Sequence, residues 1–137
     1  MKKAALILLA LAAAACGGST SAPSTVAANA TVSNDVFTGV VQVGGLDVHN
    51  FTVTTPGTVS VTMTAAGPPP TITMGIGIGN PNGAGGCTFI STTQLPASTT
   101  TPQLTGTLTA SGPYCIGIGD VGNAAGPITY SVTVSHT

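Results

Sequence analysis

Tryptophan is absent from this chain, and charged residues fill only 4% of its 137 positions. Lys2 and Lys3 are its only lysines and it has no arginine, so everything after Lys3 is without either cation. A nucleic-acid binder must neutralise phosphates with such cations, and the chain after Lys3 offers none. Electrostatic attachment to anionic lipid head groups is excluded on the same ground. So are the usual Arg and Lys clamps for carboxylated or phosphorylated ligands. The acidic side chains number three, Asp35, Asp47 and Asp120. Sugar sites usually stack rings on aromatics. Here the stacking rings would have to be Tyr114 and Tyr130, which fall on core-facing positions. No helical period of useful length follows the N-terminal apolar run, which spans Ala4 to Ala15 and falls short of the roughly 20 residues a membrane-spanning helix needs.

What is present begins at that run. Two lysines, the short apolar stretch and the small residues before Cys16 have the layout of a bacterial secretory signal, residues 1–15. Cys16, followed by Gly17-Gly18-Ser19-Thr20, resembles the acceptor of bacterial lipoproteins, although the family usually has Leu where this chain has Ala13. The resemblance implies a diacylglyceryl thioether on Cys16, often with a further palmitate-type chain, and two or more chains anchor stably to a bilayer. Gly17 in place of Asp implies the outer membrane rather than the inner one. Plain secretion without lipid is the alternative. Residues 16–34 are small and polar, the composition of an anchor and flexible linker.

Three cysteines are an odd count for an exported protein. A lipid on Cys16 leaves Cys87 and Cys115 to pair in an oxidising compartment. The alternatives are two reduced thiols or a metal site, and two thiols with no nearby His make a poor zinc site. Because Cys115 is out of phase with Ile116 and Ile118, its sulfur is expected opposite the core. The bridge then ties neighbouring strands, or a strand and a loop, rather than crossing the core.

Over residues 35–137 the apolar residues alternate with polar ones, the period of a half-buried strand. Val59, Val61 and Met63 alternate with Ser and Thr; so do Ile72, Met74, Ile76 and Ile78 with Thr73, Gly75 and Gly77, and Ile128, Tyr130, Val132 and Val134 with Thr and Ser. Leu104 to Thr109 is a further strand. Val36–Val43, Val48–Thr54, Cys87–Thr92 and Tyr114–Gly119 are fainter ones. Gly- and Pro-rich turns separate them. About eight short strands predict an all-β, antiparallel β-sandwich of jelly-roll type. Its core is expected to hold Phe37 or Val36, Phe51, Val53, Val59, Val61, Met63, Ile72, Met74, Ile76, Leu104, Leu108, Ile116, Ile118, Tyr130, Val132 and Val134. Thr, β-branched and uncharged, suits the wet face. With no Lys to guard the edges, Pro residues are left to block intermolecular pairing.

Phe37-Thr38-Gly39, His49-Asn50-Phe51-Thr52-Val53, Pro56-Gly57-Thr58-Val59-Ser60-Val61 and Gly75-Ile76-Gly77-Ile78-Gly79 come in an ordered series. Tyr114-Cys115-Ile116-Gly117-Ile118-Gly119-Asp120-Val121-Gly122-Asn123 and Tyr130-Ser131-Val132-Thr133-Val134 complete it. From Phe37 to His136 the chain resembles the bacterial pre-peptidase C-terminal domain and its small lipoprotein relatives. The resemblance implies a β-sandwich without catalysis, assisting secretion or binding substrate or surface polymers. Residues 1–137 hold no peptidase, so a role accessory to an attached protease is not expected.

The residues offer few sites. His49 and Asp47 share a strand face, but no Gly-x-Ser-x-Gly elbow supplies a nucleophile, and a His that caps the start of a strand is the plainer role. His136 reads the same way. Gly75-Ile76-Gly77-Ile78-Gly79 is not a dinucleotide fingerprint, because Asn80 and Pro81 follow where a glycine and a helix are required. If its strand lies beside Gly117 and Gly119, the bare glycines form a shallow strip, either a binding surface or the floor under a covering loop. Asp120 and Asn123 are calcium candidates, set against an Asx-type turn; calcium wants 6–8 oxygens. No other cofactor is expected. The predicted function is a non-catalytic, lipid-anchored module for binding or surface presentation, with protein or polysaccharide of the cell envelope as partner. The alternative is a secreted accessory domain assisting a separate peptidase or glycosidase. An extended peptide adding to a sheet edge needs only backbone groups.

Overall fold

The computed structural model describes residues 30–96 and 100–137. The expected signal segment 1–15, Cys16 and the expected linker as far as residue 29 lie outside the described residues. Eight strands follow: β1 (Ser33–Val41), β2 (Leu46–Val53), β3 (Gly57–Gly67), β4 (Thr73–Pro81), β5 (Cys87–Pro96), β6 (Leu104–Leu108), β7 (Gly112–Asp120) and β8 (Ile128–His136). Each of the eight segments marked by alternation is a strand. β1 starts at Ser33, so Ser33 and Asn34, expected in the linker, belong to the sheet.

The strands form two antiparallel four-stranded sheets, ordered β1-β8-β3-β6 and β2-β7-β4-β5. Consecutive strands mostly lie in opposite sheets, which is the double Greek key of a jelly roll. Alternation explains why these sheets stack. Val59, Val61 and Met63 on β3 and Tyr130, Val132 and Val134 on β8 face Met74, Ile76 and Ile78 on β4 and Ile116 and Ile118 on β7 across one buried core. Fully burying one such side chain stabilises the fold by about 1.5–3 kcal/mol, so the sandwich is held mainly by these two inner faces.

The expected core is observed, with two adjustments. Phe37, not Val36, turns inward; Val36 is 63% exposed. Val41, Ala66, Ile78, Tyr114 and Ile128 join the core as well. The outer face of the first sheet carries Ser60, Thr62, Thr105, Thr107, Thr129, Ser131, Thr133 and Ser135, hydroxyls where most proteins place charge.

Cys87 and Cys115 are bonded, with 5.8 Å between their Cα atoms. Cys115 is opposite in phase to Ile116 and Ile118, as expected, and the bridge does not cross the core. It does not join adjacent strands, however. Cys87 begins β5 and Cys115 sits on β7, with β4 between them. The bridge reaches diagonally because Cys87 pairs with Pro81 and Cys115 with Gly79 on that middle strand. At Gly79 the β5 backbone comes so near that any side chain would collide with the Thr88 carbonyl.

Replacing both cysteines by serine is expected to lower stability by about 3.6 kcal/mol, the chain-entropy value for a loop of this size. Urea unfolding should show a lower midpoint and a somewhat steeper slope, because the unlinked chain exposes more surface when unfolded. An unchanged midpoint would show that the bridge adds nothing to the fold.

Candidate functional site

The site lies on the outer face of the second sheet. β4 and β7 pair there with Gly75 opposite Gly119 and Gly77 opposite Gly117. The glycine strips foreseen in the sequence are thus side by side. Their partners on the inner face are Ile76, Ile78, Ile116 and Ile118, so the floor is bare outside and tightly packed beneath.

One ring stands on this floor. A Cβ at Gly77 would come within 2.6 Å of the Phe89 ring, and one at Gly117 would collide with the tip of that ring. Phe89 reaches that position through a bulge. Ile78 pairs with Ser91 but Gly79 pairs with Phe89, leaving Ile90 as an extra residue in β5. Without it, alternation would turn Phe89 towards the core. A bulge commonly re-aims a side chain in this way.

Leu46 of β2 lies against Gly117 and Gly119, and Val121 lies against Gly75. Together with Phe89 they wall an open depression of about 230 Å³, rimmed by Thr92, Gln94 and Asp120. The walls are apolar yet wet: Leu46 is 56% exposed and Phe89 37%. Among the described residues the strip is thus walled by side chains and not roofed by a loop. It is a floor with side-chain walls.

Asp120 builds one end of the depression. Its Oδ1 accepts backbone N–H groups from Gly122, Asn123 and Ala124, at 2.9, 3.1 and 3.1 Å, and its Oδ2 accepts that of Gly44 at 2.8 Å. Its own N–H donates to the Gly45 carbonyl. This is the Asx-type turn, extended to clamp the β1–β2 turn, and with it the start of β2 and Leu46, to the β7–β8 turn. The four N–H donors, Gly44's foremost, hold the carboxyl below its ordinary value of 3.8. A hard cation wants these same oxygens. Asn123 supplies its backbone N–H to Asp120, and among the described residues no group of three or more His, Cys, Asp or Glu converges.

The histidines lie elsewhere, on the inner side. Tyr130 donates its hydroxyl proton to Asp47 Oδ2 at 2.6 Å, so the 2.6 Å contact from His49 Nε2 is an N–H donating to the phenol oxygen. His49 stacks on Phe37 with ring centroids 4.8 Å apart. Its role is to link β2 to β8 in the opposite sheet, not to cap a strand. Gly39, opposite Tyr130 on β1, leaves the room this cluster fills. Burial, then the Asp47 hydrogen bond and charge, push the Tyr130 phenol well above its usual value, so it keeps its proton. That is the reverse of an activated nucleophile or base. His136, nearly buried, bonds Asp35 at 2.9 Å. Both tyrosines sit in the core with their hydroxyls bonded, Tyr114 to the Ala110 carbonyl, so neither ring offers a sugar platform.

No family model matches the chain, and no curated protein matches it in sequence. The likeness to the pre-peptidase C-terminal domain thus rests on the motifs quoted above, while the all-β fold it implies is the fold observed. Among solved structures the chain is similar to PliG of Aeromonas hydrophila, a periplasmic inhibitor of g-type lysozyme. The two share 18% identity and a TM-score of 0.52, over 74% of this chain and 84% of PliG. The likeness is one of fold.

Two predictions follow from this geometry. Stability contributed by the Asp120 carboxylate is present above pH 3.8 and is lost as pH falls through its lower folded value. Asp120→Ala should flatten that acid limb of the melting-temperature profile and speed amide exchange at Gly44, Gly122, Asn123 and Ala124; unchanged exchange there would refute the clamp. Gly77→Ala should destabilise by about 1–3 kcal/mol, the usual cost of overpacking. In a Phe89→Ala background the same change should cost almost nothing, and a coupling energy near zero would mean the ring does not rest on this floor.

Proposed function

We propose that this chain is a non-catalytic, exported module, anchored by lipid at Cys16, that binds a protein of the cell envelope through the glycine-floored depression. The observation that carries the reading is Phe89. An aromatic ring is turned out of the core by a bulge, seated on glycines and left partly exposed beside Leu46 and Val121. Isolated exposed apolar residues need no explanation, but a cluster around a recess marks a place where another surface docks.

The surroundings favour a protein over a charged small molecule. The walls are apolar, and the one carboxylate at the rim already accepts four backbone N–H groups. An apolar or aromatic side chain of a partner fits such a recess, with Thr92 and Gln94 at its border. Aromatic anchors in small pockets carry much of the energy in protein interfaces. PliG, a sandwich of similar fold, is named for inhibiting a lysozyme, which supports this architecture as one that acts by holding a protein. The anchor reading rests on the signal-like start and Cys16, and Gly17 favours the outer membrane.

The test uses the full chain in detergent as bait against solubilised envelope. Proteins retained by the unaltered chain should be lost with Phe89→Asp and kept with Phe89→Leu. Retention of the same proteins by Phe89→Asp would sink the site. In parallel, a clickable fatty acid should label the chain and fail to label Cys16→Ser; persistent labelling would end the anchor reading while leaving the site intact.

A further inference from the structure

The two open sides of the sandwich are finished differently. On one side lie the edge strands β1 and β2. Each carries an inward-facing carboxylate, Asp35 or Asp47, bonded to His136 or Tyr130 of β8. Inward-pointing charge is a common guard against strand addition at an edge. On the other side lie β5 and β6. β6 is only five residues long. β5 has ten residues, holds no charge, and meets its first proline at Pro96. Among the described residues no strand lies along its outer edge, and Thr88, Phe89, Ile90, Ser91 and Thr92 are all exposed. A long, uncharged, β-branched edge is a template for another strand.

Beside this edge the sandwich gapes. A recess of about 190 Å³ opens between the sheets, lined by Val59, Ile78, Leu104, Gly106 and Leu108, with Ile90 at its mouth. A Cβ at Gly106 would meet only Val59, at 3.8 Å, so the recess has room on the β6 side. Ile90 is 58% exposed. The bulge that sends Phe89 outward leaves Ile90 at the recess, so β5 presents an apolar side chain towards each face.

We infer that β5 pairs antiparallel with β5 of a second copy of this chain, joining two four-stranded sheets into one of eight strands. Self-complementarity selects this occupant. Around a two-fold axis normal to the sheet, inward-facing groups meet inward-facing groups, so Ile90 of each copy lies at the mouth of the other's recess. What the recess can take, an uncharged strand with an apolar residue on its inner side, is what β5 itself supplies. Charge does not oppose the approach, because neither β5 nor the lining of the recess carries any, while Asp35 and Asp47 lie on the far side. The outer face stays open, and the pairing sets two Phe89-walled depressions on one continuous surface. Two linked sites on one body would raise avidity for a partner that repeats, without any new contact to it.

The pairing does not depend on what fills those depressions, and its test needs no partner. The full chain, purified in density-matched detergent, should sediment as a dimer at about 100 µM, with Ile90→Lys and Thr92→Lys each weakening association at least about 100-fold, the scale set by opposing like charges at an interface. Both positions are exposed, so the melting temperature should hold; if one variant misfolds, the other decides. A Ser91→Cys variant should cross-link between copies under mild oxidation. A monomer at that concentration, or a dimer indifferent to both lysines, would overturn the inference. So would capture of a different envelope protein by β5 with the chain itself monomeric.

Discussion

The extra residue in β5 decides more of this structure than any buried side chain. Alternation runs unbroken along β4, with Met74, Ile76 and Ile78 inward and Gly75, Gly77 and Gly79 outward. β5 keeps step from Thr93 to Ser91 and then slips by one at Ile90. Every residue before the slip changes face. Phe89 moves from the core side to the glycine floor. Cys87, two residues earlier, moves with it, onto the side where Cys115 waits on β7. In the unslipped register the two cysteines would lie on opposite faces, and the observed bridge across β4 could not close. The disulfide and the bulge therefore fix each other, and the candidate site is a product of both.

The same economy governs the charges. A chain with three carboxylates and no Lys or Arg after Lys3 cannot build networks of ion pairs, and each carboxylate is bonded within the protein. Asp35 holds His136, Asp47 takes the proton of Tyr130, and Asp120 gathers two turns through backbone donors. Among the described residues no buried side-chain nitrogen or oxygen lacks a hydrogen-bond partner. The groups that in another protein would be read as acid–base pairs are here fasteners, Asp47 and His49 with Tyr130 between the sheets and Asp35 with His136 within one sheet. A phenol raised by burial and by a neighbouring carboxylate holds its proton, which suits a fastener.

Much of the architecture could be read from the residues because its signal is local. Alternation marks a strand from its own few residues, so eight strands and most of the core were legible, as was the phase of Cys115. What escaped depends on lateral order. Nothing within Cys87-Thr88-Phe89-Ile90-Ser91 shows which residue slips, since two adjacent apolar residues fit either register. That β4 stands between Cys87 and Cys115 follows from the jelly-roll wiring, not from the spacing of the cysteines. His49 looked like a strand cap because Tyr130, its partner, is 81 residues away. The paired glycine strips were visible as a conditional, and the missing term was the Phe89 ring that stands on them.

An almost uncharged surface also dictates how such a module can recognise anything. Electrostatic steering, which raises association rates by orders of magnitude, needs clustered charge. Here the outer faces are threonine, serine, glycine and a few apolar walls, so encounters with any partner would proceed at the unassisted rate of neutral surfaces. Affinity must then come from burial and from slow release, through a recess that excludes water around one or two side chains. It also follows that binding should depend only weakly on salt, since Asp120 is the one charged side chain at the recess. Tethering to a membrane would compensate for the slow encounter by keeping module and partner in the same thin layer, raising their effective concentration without adding a contact. On this view the scarcity of charge and the proposed lipid anchor would be complementary: a surface that attracts nothing at a distance is useful only where its partner is already near.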